Sequence, residues 1–127
     1  MTDTPEIELG VLSKRSEFLF VRDGAYAARG AVVIQCRANP AHNTVRYGIT
    51  ATKRIGNAVT RNRAKRRLRE IARALLPTLG RPGHDYVLIA RDRTPSRDWS
   101  KLQGDARRAL HSEALLGQSA PALPTDA

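Results

Sequence analysis

Cysteine is almost missing: Cys36 stands alone among 127 residues. A single thiol excludes an internal disulfide framework and a cysteine-built metal cluster. It lies in an apolar run, where a thiol behaves as a small buried hydrophobe. Aromatics are also scarce, at 5% of the chain, so the core must be built mainly from aliphatic side chains. No apolar run approaches the roughly 20 residues that a membrane-spanning helix needs. The start, MTDTPEIELG, lacks the basic n-region and apolar h-region of a secretory signal. His42, His84 and His111 lie in separate segments with no ligand spacing among them. There is no P-loop, dinucleotide glycine fingerprint or nucleophile elbow. Asp85 and Asp92 flank one expected strand, where a carboxylate pair would suit Mg2+, but acids so placed are usually turn residues or surface charges. These absences point to a cytoplasmic protein without an active site of its own.

What the chain has in excess is positive charge. Lys and Arg number 22 against 12 acids, giving a net charge of +10 and a pI near 11.0. That balance favours nucleic acid or an anionic membrane surface as partner. The charge concentrates in Lys53 to Leu76, KRIGNAVTRNRAKRRLREIARALL. Arg61, Arg63, Lys65, Arg66, Arg67, Arg69 and Arg73 are interrupted by one acid, Glu70. Ala64, Leu68, Ile71, Ala72, Leu75 and Leu76 fall at the spacing of one helix face. Most cations project from the opposite side. Arg61 instead continues the apolar stripe and is expected where the helix meets its support. Asn57 or Thr60 suits the N-cap, and Pro77 is expected to end the helix. A solvated face usually mixes signs, because like charges at i, i+4 repel. Here Arg63/Arg67, Lys65/Arg69 and Arg69/Arg73 crowd like charges together, and an anionic ligand would relieve them.

The remaining elements follow from local pattern. Residues 1–10 read as a flexible leader, 11–116 as one domain and 117–127 as a disordered tail. Val11 to Phe20 suits a short helix, and DGAYAARG a turn or ragged edge strand. Ala31 to Cys36, Val45 to Thr52 and Asp85 to Arg91 read as strands. In the second of these, Val45, Tyr47, Ile49 and Ala51 should face the core, leaving Arg46, Gly48, Thr50 and Thr52 on an open face. Ser96 suits the cap of a last helix over about residues 97–116. The expected fold class is α/β (α+β two-layer), a small mixed sheet flanked by helices.

The stretch Tyr47 to Ile71, YGITATKRIGNAVTRNRAKRRLREI, resembles the signature of the bacterial ribonuclease P protein subunit. The match rests on Lys53-Arg54-Ile55-Gly56-Asn57-Ala58-Val59, then Arg61-Asn62-Arg63, then Lys65-Arg66. The flanks Leu12 to Phe18 and Asp85 to Arg91 agree, so the resemblance covers about Val11 to Leu116. It implies an unusual left-handed β-α-β crossover through the basic helix, against the right-handed rule that holds in about 98% of cases. It also implies that the catalyst is an RNA subunit, the protein being its cofactor. The holoenzyme would hydrolyse one phosphodiester of precursor tRNA with Mg2+, held mainly by the RNA, and release the 5′ leader.

Two surfaces are implied residue by residue. Lys53, Arg54, Arg61, Asn62, Arg63, Lys65, Arg66 and Arg69 would meet the catalytic RNA. Phe18, Val32, Ile34 and Thr50 would meet the single-stranded leader. No protein catalytic residue, no protein metal site, no membrane and no DNA partner is expected. Two positions depart from the family pattern: Arg22 replaces a second aromatic one helical turn after Phe18, and Ile34 stands where an aromatic is common. The alternative reading is a structural RNA-binding protein of the ribosome-associated kind, against which the G-N-A-V and R-N-R spacing weighs. An autonomous metal nuclease would need clustered acids or histidines. A helix-turn-helix DNA reader conflicts with strands on both sides of the basic helix.

Overall fold

The computed structural model describes residues 8–116. The expected tail at 117–127 and most of the expected leader lie outside the described residues. The elements, in chain order, are β1 (Leu9–Val11), α1 (Arg15–Arg22), β2 (Ala25–Arg29), β3 (Val32–Ala38), β4 (Val45–Thr50), α2 (Ala58–Leu79), β5 (His84–Ala90), α3 (Trp99–Leu110) and α4 (Glu113–Leu116). The strands form a mixed sheet in the order β1-β4-β5-β3-β2. β1/β4 and β4/β5 are parallel, whereas β5/β3 and β3/β2 are antiparallel. The mixed sheet with flanking helices is the expected fold class.

Strand alternation assigns the two faces. Val45 and Tyr47 of β4, Val32, Ile34 and Cys36 of β3, and Tyr86 and Leu88 of β5 are buried with the apolar stripes of α2 and α3. All six residues read from the helical spacing (Ala64, Leu68, Ile71, Ala72, Leu75 and Leu76) are buried. On the opposite face a smaller cluster joins Leu12 and Val21 to Val87, with Phe18, Phe20 and Ile89 packed against it. Cys36 is fully buried, and burial pushes its thiol up to about 12, so it serves as a core residue.

Several boundaries differ from the sequence reading. Leu9 and Gly10, read as leader, pair in register with Val45 and Arg46. α1 begins at Arg15 rather than Val11 because Val11 is spent on β1. The Glu17 carboxylate then accepts from the Ser13 and Lys14 N–H groups at 2.7 and 2.9 Å and fixes the helix start. Pro77 does not end α2, which runs on to Leu79. A proline this near the end removes one hydrogen bond, and the buried Leu75 and Leu76 hold the last turn against the core. Asp98, not Ser96, caps the next helix by accepting from Lys101 N–H, and that helix breaks into α3 and α4 at His111–Ser112.

Candidate nucleic-acid interface

α2 starts from a defined local device. Lys53–Ile55 form one 3-10 turn, after which Gly56 takes φ 143, a backbone conformation that favours glycine. Asn57 then caps α2, its side-chain oxygen accepting from Thr60 N–H at 2.9 Å. Lys53, Arg54 and Asn62 are exposed around this start.

The seven cations of α2 do not act as one face. Arg61 is half-buried and donates to the Gly56 carbonyl at 2.9 Å, which matches its place on the stripe. Arg67 is turned inward. Its guanidinium donates to the carbonyls of Thr94 and Pro95 at 2.8 and 2.7 Å and to that of Arg97, and lies 5.4 Å from the Trp99 ring centroid. It fastens the loop between β5 and α3. Arg63 and Arg66 point to solvent. Lys65, Arg69 and Arg73 line a cleft of about 340 Å³ together with Val11, Leu12, Phe18, Tyr47, Gly48 and Ile49. Among the described residues, Arg63, Lys65, Arg66, Arg69 and Arg73 enter no salt bridge. The sequence reading put Lys65 and Arg69 on one surface and Phe18 on another. The structure makes them walls of the same cleft.

The Phe18 ring lies over Gly48. A Cβ at that glycine would stand 2.5 and 2.6 Å from ring atoms Cζ and Cε2. Gly48→Ala is therefore expected to displace the ring and cost about 1–3 kcal/mol by overpacking. Thermal denaturation checks this, and an unchanged Tm would show that the ring has room to move.

β3 requires a correction. Val32 and Ile34, expected at the leader surface, are fully buried on the core face, in register with Ala90 and Leu88. Strand parity explains it: one residue along the strand means the opposite side. Val33 and Gln35 are the residues on the Phe18 side, paired with Ile89 and Val87. The polar Gln35 and Arg37 at alternate positions were the available signal. Thr50 does lie on this open face, in register with Ile89.

α1 crosses part of the open face and packs on β3 and β5. Beyond it lies a trough of about 670 Å³ whose lining includes Tyr26, Ala28, Val33, Ile89, Arg54, Arg91 and Arg93. Tyr26, Arg91 and Arg93 were not singled out by sequence, because isolated residues in turn-like segments leave no periodic pattern.

The acids are committed elsewhere. Asp85 is fully buried and accepts from Arg46 Nε and Nη2 at 2.9 Å each, from Asn39 at 2.9 Å, and contacts His42 Nε2 at 2.7 Å. Burial pushes its carboxyl up, but these donors outweigh burial and hold it below the usual carboxylate range. Asp92 lies past the other end of β5, about 23 Å along an extended chain, so the two carboxylates do not converge. Among the described residues, no trio of His, Cys, Asp or Glu is placed to hold a metal ion. None of their helices is long and apolar enough to cross a membrane.

A mixed sheet with one partly open face, beside a helix on which Arg63, Lys65, Arg66, Arg69 and Arg73 enter no salt bridge among the described residues, makes this an α+β domain with a cationic side. Comparison narrows the class. The family model described as Ribonuclease P matches residues 9–113. The ribonuclease P protein component of Caulobacter vibrioides is 54% identical over 104 residues, covering 81% of this chain and 70% of that protein. The one from Ruegeria pomeroyi is 50% identical over 105 residues, covering 80% and 84%. The solved structure of the Staphylococcus aureus RNase P protein aligns with a TM-score of 0.68 at 26% identity, covering 79% of this chain and 91% of that one. That of Thermotoga maritima gives 0.65 at 26%, covering 76% and 91%. The chain belongs to the ribonuclease P protein component family.

Proposed function

We propose that this chain binds the catalytic RNA of ribonuclease P and the 5′ leader of precursor tRNA, and so promotes Mg2+-dependent removal of the leader. The RNA subunit supplies the catalysis and holds most of the Mg2+. The observation that carries this reading is the set of five α2 cations without acidic partners, set beside an open sheet face in a chain of this family. Arg63 and Arg66 point away from the sheet and suit bidentate contact with phosphates of the RNA subunit. The N-terminus of α2, with Lys53, Arg54 and Asn62 around it, adds free N–H groups and partial positive charge. Lys65, Arg69 and Arg73 face the cleft shared with Phe18, where a backbone passing from the leader to the RNA subunit would be neutralised.

Reconstitution tests the division of labour. Freed of all RNA, the protein is expected to leave precursor tRNA uncut. With cognate RNA and Mg2+ it should release the leader. Cleavage by the protein alone would sink the proposal in favour of an autonomous nuclease. The alternative of a ribosome-associated RNA binder predicts no stimulation in the reconstituted mixture. Salt dependence tests the surface itself. If Arg63, Lys65, Arg66, Arg69 and Arg73 each neutralise one phosphate, log K should fall with log salt at a slope of roughly −3.5 to −4.5. Arg63→Ala or Arg66→Ala should flatten the slope by about 0.7–0.9. A slope that neither changes would mean that this face is only solvated.

A further inference from the structure

We propose that Tyr26 is a second base-stacking platform for single-stranded RNA, with Arg91 and Arg93 receiving the adjoining phosphates. The inference rests on the reading of the trough as the leader site, and it extends that site to the opposite edge of the sheet.

The chain has six aromatic residues, and their placement is selective. Tyr47 and Tyr86 are buried on the core face. Phe20 is covered by the Arg37 guanidinium, 4.1 Å from its ring centroid. Trp99 stands beside Arg67, away from the trough. Only Phe18 and Tyr26 remain to present a ring to the open face. Tyr26 is 64% exposed. A lone exposed tyrosine on an edge strand needs no explanation by itself. This one borders a trough of about 670 Å³ whose floor is Ala28, Val33 and Ile89 and whose rim includes Arg54, Arg91 and Arg93, with Asp92 the one acid. A small apolar floor, a free ring and a surplus of cations are the parts from which single-strand sites are built.

The loop that carries these cations is held in place. Thr94 is fully buried; its hydroxyl donates to the Ala31 carbonyl at 2.6 Å and accepts from Arg91 N–H at 2.7 Å. Arg67 ties the Thr94 and Pro95 carbonyls to α2. The backbone of the loop carrying Arg91 and Arg93 is thereby fixed to the β2–β3 turn and to α2, so it needs little further ordering when a phosphate arrives.

Register gives the span. Gly48, beneath Phe18, pairs with Val87, Val87 with Gln35, and Gln35 with Tyr26. Three strand spacings of about 4.8 Å place the two platforms about 14 Å apart. α1 covers the direct line, burying Val87, so a strand reaching both rings would pass around α1 over Val33 and Ile89.

The test uses the assembled holoenzyme and precursor tRNA carrying a single 2-aminopurine at successive leader positions, whose fluorescence is quenched by stacking. Two positions should be quenched. Tyr26→Leu should abolish one and weaken precursor binding by about 5–150-fold, the range equivalent to about 1–3 kcal/mol per stacked base. Tyr26→Phe should keep both the quench and the affinity. Phe18→Leu should abolish the other position. If Tyr26→Leu leaves quench and affinity unchanged while Phe18→Leu removes its own position, the Tyr26 platform is refuted and the leader reading stands. If no leader position is quenched and neither variant changes affinity, the leader reading falls and this inference with it.

Discussion

Asp105→Ala is expected to lower the unfolding free energy by on the order of 3 kcal/mol, as found when a buried charge network loses one partner. For a domain of this size that corresponds to a Tm drop of about 10–15 °C. Asp105 is fully buried on α3 yet sits at a junction. Its carboxylate accepts from Ala31 N–H at 2.9 Å, from Arg97 Nε and Nη2 at 2.9 and 3.2 Å, and from Arg108 at 2.5 Å. It thus joins the β2–β3 turn to the start and the end of α3. The turn is built to receive it: Gly30 has φ 52, and a Cβ there would stand 2.2 Å from the carboxylate. Burial pushes the Asp105 carboxyl up, but the Arg97 hydrogen bond, the Ala31 N–H and the charges of Arg97 and Arg108 together hold it below the usual range. The sign follows. A lowered folded pKa contributes stability that is complete above the unfolded value, about 3.9, and is lost as pH falls through the folded value. Melts between pH 6 and pH 2 should therefore show a loss beginning near about pH 4. Asp105→Asn, already without the charge, should lose less over the same interval. A variant that melts with the wild type would show that the turn is held by Thr94 alone.

Phe18→Ala should reduce the preference of the holoenzyme for precursor over mature tRNA by about 5–150-fold, the equivalent of about 1–3 kcal/mol for one stacked base. Mature tRNA has no leader, so its affinity should stay constant and provides the internal control. Phe18 also packs with Leu12, Val21 and Val87, so its removal costs some stability. The thermal transition of the variant must first show it folded at the assay temperature. Arg66→Ala supplies the contrast: it should weaken assembly with the RNA subunit whichever tRNA is present. A folded Phe18→Ala holoenzyme with an unchanged precursor-to-mature ratio would make Phe18 a packing residue.

How much the sequence revealed varied with the length of each pattern. α2 was legible because six apolar residues repeat at helical spacing over three turns, and all six are buried. The faces of β4 were legible because Arg46 and Thr50 alternate with Val45, Tyr47 and Ile49. The faces of β3 were not legible, because Val32, Val33 and Ile34 are all aliphatic and parity inside that run carries no sign; the family resemblance alone puts Val32 and Ile34 at the leader surface. Only Gln35 and Arg37 break the ambiguity, and burial confirms the parity they set. β1 escaped notice because three residues are too few for alternation, and they pair only with a strand far along the chain. The inward turn of Arg67 was invisible for a different reason. Its place beside the stripe was readable, but the carbonyls it meets lie about thirty residues away on a loop without periodicity. The joining of Phe18 to Lys65 and Arg69 likewise depends on how β4 is flanked by α1 and α2, which no local pattern encodes.

The sealed Cys36 has a practical consequence. Alkylating reagents react with thiolate, and a thiol pushed up to about 12 inside the sheet offers almost none at neutral pH. A cysteine placed on the trough rim or along the exposed side of α2 would then be the sole reactive thiol of the folded protein. Fluorophores, spin labels and cleavage reagents could be attached one site at a time with the native sequence otherwise intact. The chain comes ready for mapping its own surroundings inside a large ribonucleoprotein.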